Sequence, residues 1–438
     1  NSGKQIALFS AIATLVVLLA GMFAYNQYNY LHYDVSWLPT LGSRFSLGLD
    51  GMGKMLCLLT AVSFPIILAA TYNNKYKNPS SFYGLMLLTQ AGLMGVFLAM
   101  DCLLFYFFWE LALIPVYFLC SIWGGEKRIA VTFKFFIYTF IGSLLMLVGI
   151  LYLYFKTADQ SFALQSFYNL QLSATEQNMA FWLFFIAFAI KMPIFPFHTW
   201  QPDTYEQSPT AVTMVLSGVM VKMGVFGLLR WLVPVVPAGS WIWGDTVSTL
   251  AIIGMIYASL IAMRQDDLKR LVAYSSIAHM GLMCAAIFAT QQTGMQGVMI
   301  QLFNHGINII GLWIVVELIE RQFGTRKMSE LGGLAQKAPA LAILLVIVAL
   351  ANVALPLTNG FVGEFLMFTG VFNSNVTKYN IVFAATSGVT IILSAVYTLN
   401  MLQKVLFGET GSSTANAKDI RINEKLVLVV LVVLVLVL

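Results

Sequence analysis

The chain has 438 residues, 59% of them hydrophobic and 10% charged, with a formal net charge of +5. A water-soluble domain carries roughly a quarter charged residues, so water is the wrong solvent for most of this surface. The positive charge is scattered through short loops, which argues for an orientation signal and against a nucleic-acid partner.

Cys57, Cys102, Cys120 and Cys284 show no CxxC or metal-ligand spacing and lie in or beside apolar runs, where cysteine is a small packing residue. Four histidines are too few for a two-haem cytochrome with paired axial ligands. The residues therefore lead us to expect no disulfide, metal site or redox centre in this chain.

In chain order, apolar runs predict about thirteen membrane crossings. They lie near 5–25, 51–72, 82–99, 101–123, 130–154, 180–199, 209–232, 246–263, 270–289, 297–319, 338–368, 380–406 and 424–438. A hydrocarbon core about 30 Å thick leaves helices as the way for such a chain to satisfy its backbone groups. The fold class is thus an all-α polytopic membrane protein. The stretch 31–50, with Pro39, Gly42 and Gly48, alternates in polarity and predicts a short hairpin at the membrane surface. There is no initiator Met, and the run from Leu426 to Leu438 stops short of a full crossing. Both ends of the natural protein are expected to lie outside this sequence.

With a cytoplasmic N-terminal end, seventeen Lys and Arg fall on the cytoplasmic side. Five (Arg44, Lys54, Lys156, Arg230 and Lys378) fall opposite, and Lys191 and Lys222 stay within crossings, which accounts for all 24. The positive-inside rule requires such a bias. The crossing at 180–199 contains KMPIFPFH, where Pro193 and Pro196 lack an amide donor and free the carbonyls of Ala189 and Met192. The crossing at 338–368 contains NVALPLTNGFVGEF, interrupted by Pro356, Asn359 and Gly360. Grouped in fives, each break falls in the fourth helix of its unit. The expected organisation is therefore 1–81 (N-terminal helices and hairpin), 82–232 (first five-helix repeat), 246–406 (second, inverted repeat) and 407–438 (loop and truncated last helix). Matched breaks in inverted halves point to a transport site.

The chemistry lies with charges that lipid disfavours. Glu110 (FFWELAL), Lys191 (AIKMP), Lys222 (MVKMG) and Glu364 (VGEF) each cost several kcal/mol at membrane depth unless paired, hydrated or neutralised. Glu110 with Lys191 could be a structural ion pair. Intramembrane ionisable groups favour the second reading, a switch in which the lysine keeps its proton beside the carboxylate and releases it when the partner withdraws. His279 (IAHMG) and His305 (FNHGI) fall in consecutive crossings, where an imidazole can pass a proton either way or simply fill a hydrogen-bonded packing position. His198 reads as an interfacial anchor. Thr213, Ser217, Tyr274, Ser275, Ser276, Asn304, Asn308, Thr358 and Asn359 could carry water between these stations or satisfy backbone at helix contacts. Asp266 and Asp267 read as helix caps.

The segments FYFFWELALIPVYF, FAIKMPIFPFHTWQPDTYEQSPTAV, LIAMRQDDLKRLVAYSSIAHMGLM and LPLTNGFVGEF resemble the signatures of the antiporter-like, proton-translocating subunits of respiratory complex I, the NADH:quinone oxidoreductase. They run through most of the chain. The family fold has fourteen helices with two inverted five-helix repeats. Most relatives carry a lysine in the second broken helix, whereas Glu364 fits the chain M branch (subunit 4 in mitochondria). Asn304 departs from the serine expected before His305.

The resemblance implies proton movement along Glu110–Lys191, Lys222, His279, His305 and Glu364, with no cofactor in this chain. NADH, FMN, iron–sulfur clusters and quinone would belong to partner subunits of a multi-pass complex in the bacterial inner membrane, with a similar antiporter-like chain on each side. The same lysines suit two alternatives, a subunit of a multisubunit cation/proton antiporter and one of a membrane-bound hydrogenase-type complex. A purely structural anchor would need no lysine at midmembrane depth.

Overall fold

The fold comes from a computed structural model, which describes residues 2–24, 31–411, 413, 414 and 418–437. Helix α1 (Ser2–Ala24) leads to a two-stranded antiparallel hairpin, β1 (His32–Leu38) and β2 (Ser43–Gly48), as the alternating polarity of 31–50 predicted. Gly42 turns the hairpin at φ 70°, and a Cβ there would meet the Gln160 carbonyl at 2.2 Å. Then follow α2 (Gly51–Ala70), α3 (Pro79–Leu98), α4 (Cys102–Trp123) and α5 (Arg128–Tyr154). Asp101 caps α4 by accepting from Leu103 N and Leu104 N, each at 3.0 Å, and also accepts from Ser43 Oγ and Arg44 N. One buried carboxylate thus starts a helix and pins the hairpin to it.

After the short α6 (Leu164–Tyr168), α7 (Ala174–Lys191) ends at the first break and α8 (Trp200–Gln207) resumes beyond it. Pro193 offers no amide to the Ala189 carbonyl, so Ile194 N takes it at 2.8 Å, while Trp200 Nε1 caps the Ile190 carbonyl at 3.0 Å. His198 sits inside this break, 4% exposed and flanked by the rings of Phe195 and Tyr257.

The next crossing, Thr210–Leu232, is built from α9 (Thr210–Val215) and α10 (Lys222–Gly227), with wide π turns at Leu216–Met220 and Leu228–Leu232. Then come α11 (Pro237–Arg264), α12 (Leu268–Phe288) and α13 (Gln292–Phe323). Asp267 caps α12 through Arg270 N at 3.1 Å, and Asp266 instead holds Ser329. Beyond the short α14 (Leu334–Lys337), the second interrupted crossing comprises α15 (Pro339–Asn352) and α16 (Asn359–Phe372), followed by α17 (Asn380–Leu406) and α18 (Ile422–Val437). In this second break Ala354 and Leu357 lie in the left-handed region at φ 56° and 79°, a local strain of about 1–3 kcal/mol each that surrounding contacts must offset.

Among the described residues, ten helices are long and apolar enough to cross a membrane. The two interrupted crossings and α18 complete the thirteen expected. Packing order recurs: α3 lies on α4 and α5 on the first broken helix, while α11 lies on α12 and α13 on the second. Small residues allow these approaches where lipid supplies no hydrophobic drive between helices. A Cβ on Gly370 would lie 2.4 Å from Gly294 Cα, locking α16 to α13. The central crossings Thr210–Leu232, α12 and α13 are each 94% buried over their most apolar window, whereas α17 is 22% buried over the same measure.

At the end rich in Lys and Arg, charges of opposite sign bind α8 to the second group of helices. Asp203 pairs with Lys134 at 2.9 Å and Arg270 at 3.2 Å; Glu206 pairs with Arg270 and Arg326, both at 2.8 Å; Glu320 pairs with Lys269 at 2.6 Å. Arg326 also bonds Asp267.

Candidate functional site

The site is organised by the Thr210–Leu232 crossing. Its first π turn passes the Val221 amide to the Leu216 carbonyl at 3.1 Å, shifting the register just before Lys222. Such insertions recur at functional positions because they free a carbonyl and re-aim a side chain. Lys222 is fully buried, and its Nζ donates to the Ser217 carbonyl at 2.6 Å. The same Nζ lies 2.9 Å from His305 Nδ1 on α13. While Lys222 is an ammonium, Nδ1 must accept, which puts the imidazole proton on Nε2.

The His305 ring faces that of His279 on α12, their centroids 5.2 Å apart. His279 Nδ1 lies 2.9 Å from Glu364 Oε1, in the first half of α16 just past the second break. Four titratable side chains from four elements therefore form one line, Lys222–His305–His279–Glu364. This differs from chain order, in which His279 would follow Lys222. Among the described residues, the Nε2 atoms of both histidines are buried without a hydrogen-bond partner. A buried polar atom left so costs about 1–3 kcal/mol, which a shared proton or a bridging water relieves.

The line ends at a cavity of about 20 Å³ lined by His279, Glu364, Thr390, Ser394 and Tyr397, enough for about one water. Tyr397 brings its buried Oη to the same cavity. At the break, Asn304 Nδ2 donates to the Asn359 carbonyl at 2.7 Å and Asn308 Nδ2 to the Ala351 carbonyl at 3.2 Å, which also accepts from Ala354 N. Asn304, where a serine was expected, is thus a clamp that fixes α16 against α13.

Glu110 on α4 and Lys191 at the end of α7 interact electrostatically without a direct ion pair among the described residues, which leaves the water-bridged form of the expected pair. Lys191 is 2% exposed, its Nζ has no hydrogen-bond partner among the described residues, and it stands 5.3 Å from the centroid of the Trp109 ring. Glu110 Oε1 is likewise buried without a hydrogen-bond partner among the described residues. The indole face holds the cation where a carboxylate was expected. The Lys191 end and the Lys222 line are connected by packing: a Cβ on Gly224 would lie 2.7 Å from the Phe188 carbonyl.

Sequence reasoning missed Arg230, which it counted only as a charge at the far end of the 209–232 crossing. Its side chain is buried, paired with Asp50 and stacked on Phe226. The signal was the spacing Lys222, Phe226, Arg230, one face of a single helix. Trp109, adjacent to Glu110, and Tyr397 were also missed.

Residues 99–394, which contain all six candidate residues, match the family described as "NADH:quinone oxidoreductase/Mrp antiporter, TM". The chain is 35% identical to NADH-quinone oxidoreductase subunit M of Rickettsia typhi over 422 residues, 95% of this chain and 84% of that one. It is 34% identical to F(420)H(2) dehydrogenase subunit M of Methanosarcina mazei, over 99% of this chain and 89% of that one. It superposes on a chain of respiratory complex I from Thermus thermophilus with a TM-score of 0.91 at 29% identity, covering 99% of this chain and 90% of that one.

Proposed function

The chain belongs to the NADH:quinone oxidoreductase/Mrp antiporter membrane family, and from that premise we propose that it is the subunit M-type, proton-translocating subunit of a respiratory NADH:quinone oxidoreductase in a bacterial inner membrane. The observation that carries this reading is the line Lys222–His305–His279–Glu364, with contacts of 2.9 Å at both ends and two neighbouring imidazole rings between them. A proton received at Lys222 passes to His305, across the facing rings to His279, and on to Glu364, which releases it toward Tyr397. Each transfer leaves the donor able to accept the next proton from the other side. Lys191 and Glu110 load the line, their separation making the lysine's proton available and the approach of the carboxylate retaining it.

The repeats 82–232 and 246–406 are related by inversion in this reading. Support comes from the shared packing order, the break in the fourth helix of each, and the odd number of crossings per unit. NADH oxidation, FMN, iron–sulfur clusters and quinone reduction belong to partner subunits, and antiporter-like chains flank this one. Moving one proton against 100 mV requires about 2.3 kcal/mol. The quinone reaction must therefore bias this line from a distance.

The Methanosarcina relative is named for a different electron donor at nearly equal identity. The membrane chain does not fix the donor, and an antiporter or hydrogenase-type assembly is the second reading. The test is purification of the intact complex through a tag on this chain. A flavin-containing, NADH-oxidising partner and NADH-driven proton uptake that Lys222→Met abolishes are expected. Recovery without any such partner, or sodium-driven proton movement without NADH, would replace the reading with the second.

A further inference from the structure

Arg230 follows Lys222 by eight residues on the same crossing, about 12 Å along the axis. An arginine cannot act as a relay there, because its guanidinium does not release a proton. Its surroundings suit a fixed charge. The guanidinium side chain is 1% exposed, while that of its partner Asp50 is 32% exposed, so the pair runs from the buried interior to the edge. Asp50 is itself held as the cap of α2 by Gly53 N at 2.8 Å, and Arg230 Nη1 lies 3.4 Å from Met100 Sδ.

On the Lys222 side, the guanidinium carbon stands 4.8 Å from the centroid of the Phe226 ring. Phe226 packs edge-on to Phe97 at 5.4 Å and against Phe105 at 6.3 Å. Moving from Lys222 toward Asp50, a proton would meet a layer of aromatic rings and then a permanent cation.

We propose that Arg230, anchored by Asp50 and stacked on Phe226, is the electrostatic barrier that closes this end of the crossing to protons, so that a proton on Lys222 leaves sideways to His305. The inference rests on the proton line described above and gives that line its direction. A positive charge in a weakly polarisable surrounding repels an excess proton without blocking the lateral exit, as an arginine can in a water-conducting pore. A purely structural tie between α2 and the crossing would be kept as well by a neutral hydrogen-bonded pair. Such a pair would leave the crossing open.

The experiment uses the purified complex in vesicles, with an imposed pH gradient and the potential clamped by potassium and valinomycin, without NADH. Arg230→Gln is expected to raise passive proton leak about tenfold. So is the double variant Asp50→Asn with Arg230→Gln, which leaves no carboxylate unpaired should the single variant assemble poorly. Arg230→Lys keeps the charge and stays within about twofold of wild type. Adding Lys222→Met to the leaky variant restores tightness, because the leak passes through Lys222. An assembled double variant as tight as wild type would overturn the barrier. Lys222→Met alone that still pumps with NADH would instead overturn the proton line and leave the leak result standing.

Discussion

Replacing Lys222 by Met separates function from stability. The substitution keeps an unbranched side chain of similar length, removes a buried cation, and deletes contacts of 2.6 Å to the Ser217 carbonyl and 2.9 Å to His305 Nδ1. The abandoned carbonyl and imidazole nitrogen cost about 1–3 kcal/mol each. Against this, a charge fully removed from water no longer has to be desolvated, which returns several kcal/mol. The two effects are of the same size, so the variant should assemble and melt within a few degrees of wild type. A residue kept for stability would give the opposite result. Loss of a positioned proton donor lowers rates about 10²–10⁴-fold, so proton movement through this chain should vanish on the same scale. Assembly is read on native gels, stability by thermal unfolding of the purified complex, and pumping by a pH-gradient dye in membranes at matched complex levels. A well-assembled Lys222→Met complex that pumps at the wild-type rate would refute the reasoning. A variant that loses assembly altogether would show that the ammonium was structural.

The other expectations are narrower. Glu364→Gln keeps an oxygen 2.9 Å from His279 but cannot ionise, so pumping and coupled quinone reduction should fall about tenfold or more while NADH oxidation by an artificial acceptor persists. Glu364→Asp, which keeps the carboxylate, should fall less, and equal losses would mean that geometry rather than ionisation matters. Trp109→Leu removes the aromatic face beside Lys191 and should slow pumping severalfold without loss of assembly; an unchanged rate would free that ring of any role. Gly370→Val drives a side chain into Gly294 and should destabilise by about 1–3 kcal/mol or more, lowering the melting temperature of the complex; an unchanged melting temperature would contradict the close approach of α16 to α13.

Much of the fold was legible because membrane helices announce themselves by length and apolarity, and because proline interrupts a helix wherever it falls. The breaks after Lys191 and Asn352, the hairpin at 32–48 and the cap at Asp267 all follow from local rules. The site residues were legible for the same reason: an ionisable group stands out in an apolar run. Their order was not. His279 precedes His305 in the chain, yet α13 lies nearer the Lys222 crossing and α12 faces α16, an arrangement set by packing between helices far apart in sequence. Glu110 and Lys191 do interact in the fold, but the ring that stands beside the lysine, that of Trp109 one residue earlier, was not legible from the sequence. Arg230 counted only as a far-side charge because it lies two residues from the end of its apolar run. Only the approach of Asp50 from the start of α2 makes it an interior cation.

The central claim is that Lys222, His305, His279 and Glu364 act in series. It is tested most directly by the number of protons moved per NADH in vesicles carrying His305→Gln, Glu364→Gln and the two together. Residues in one line are non-additive, since a path broken once is not broken further by a second cut. The account expects the double variant to pump no less than the worse single variant, with both singles well below wild type. A double variant whose loss is the product of two independent losses, or a His305→Gln complex that moves the wild-type number of protons, would contradict it.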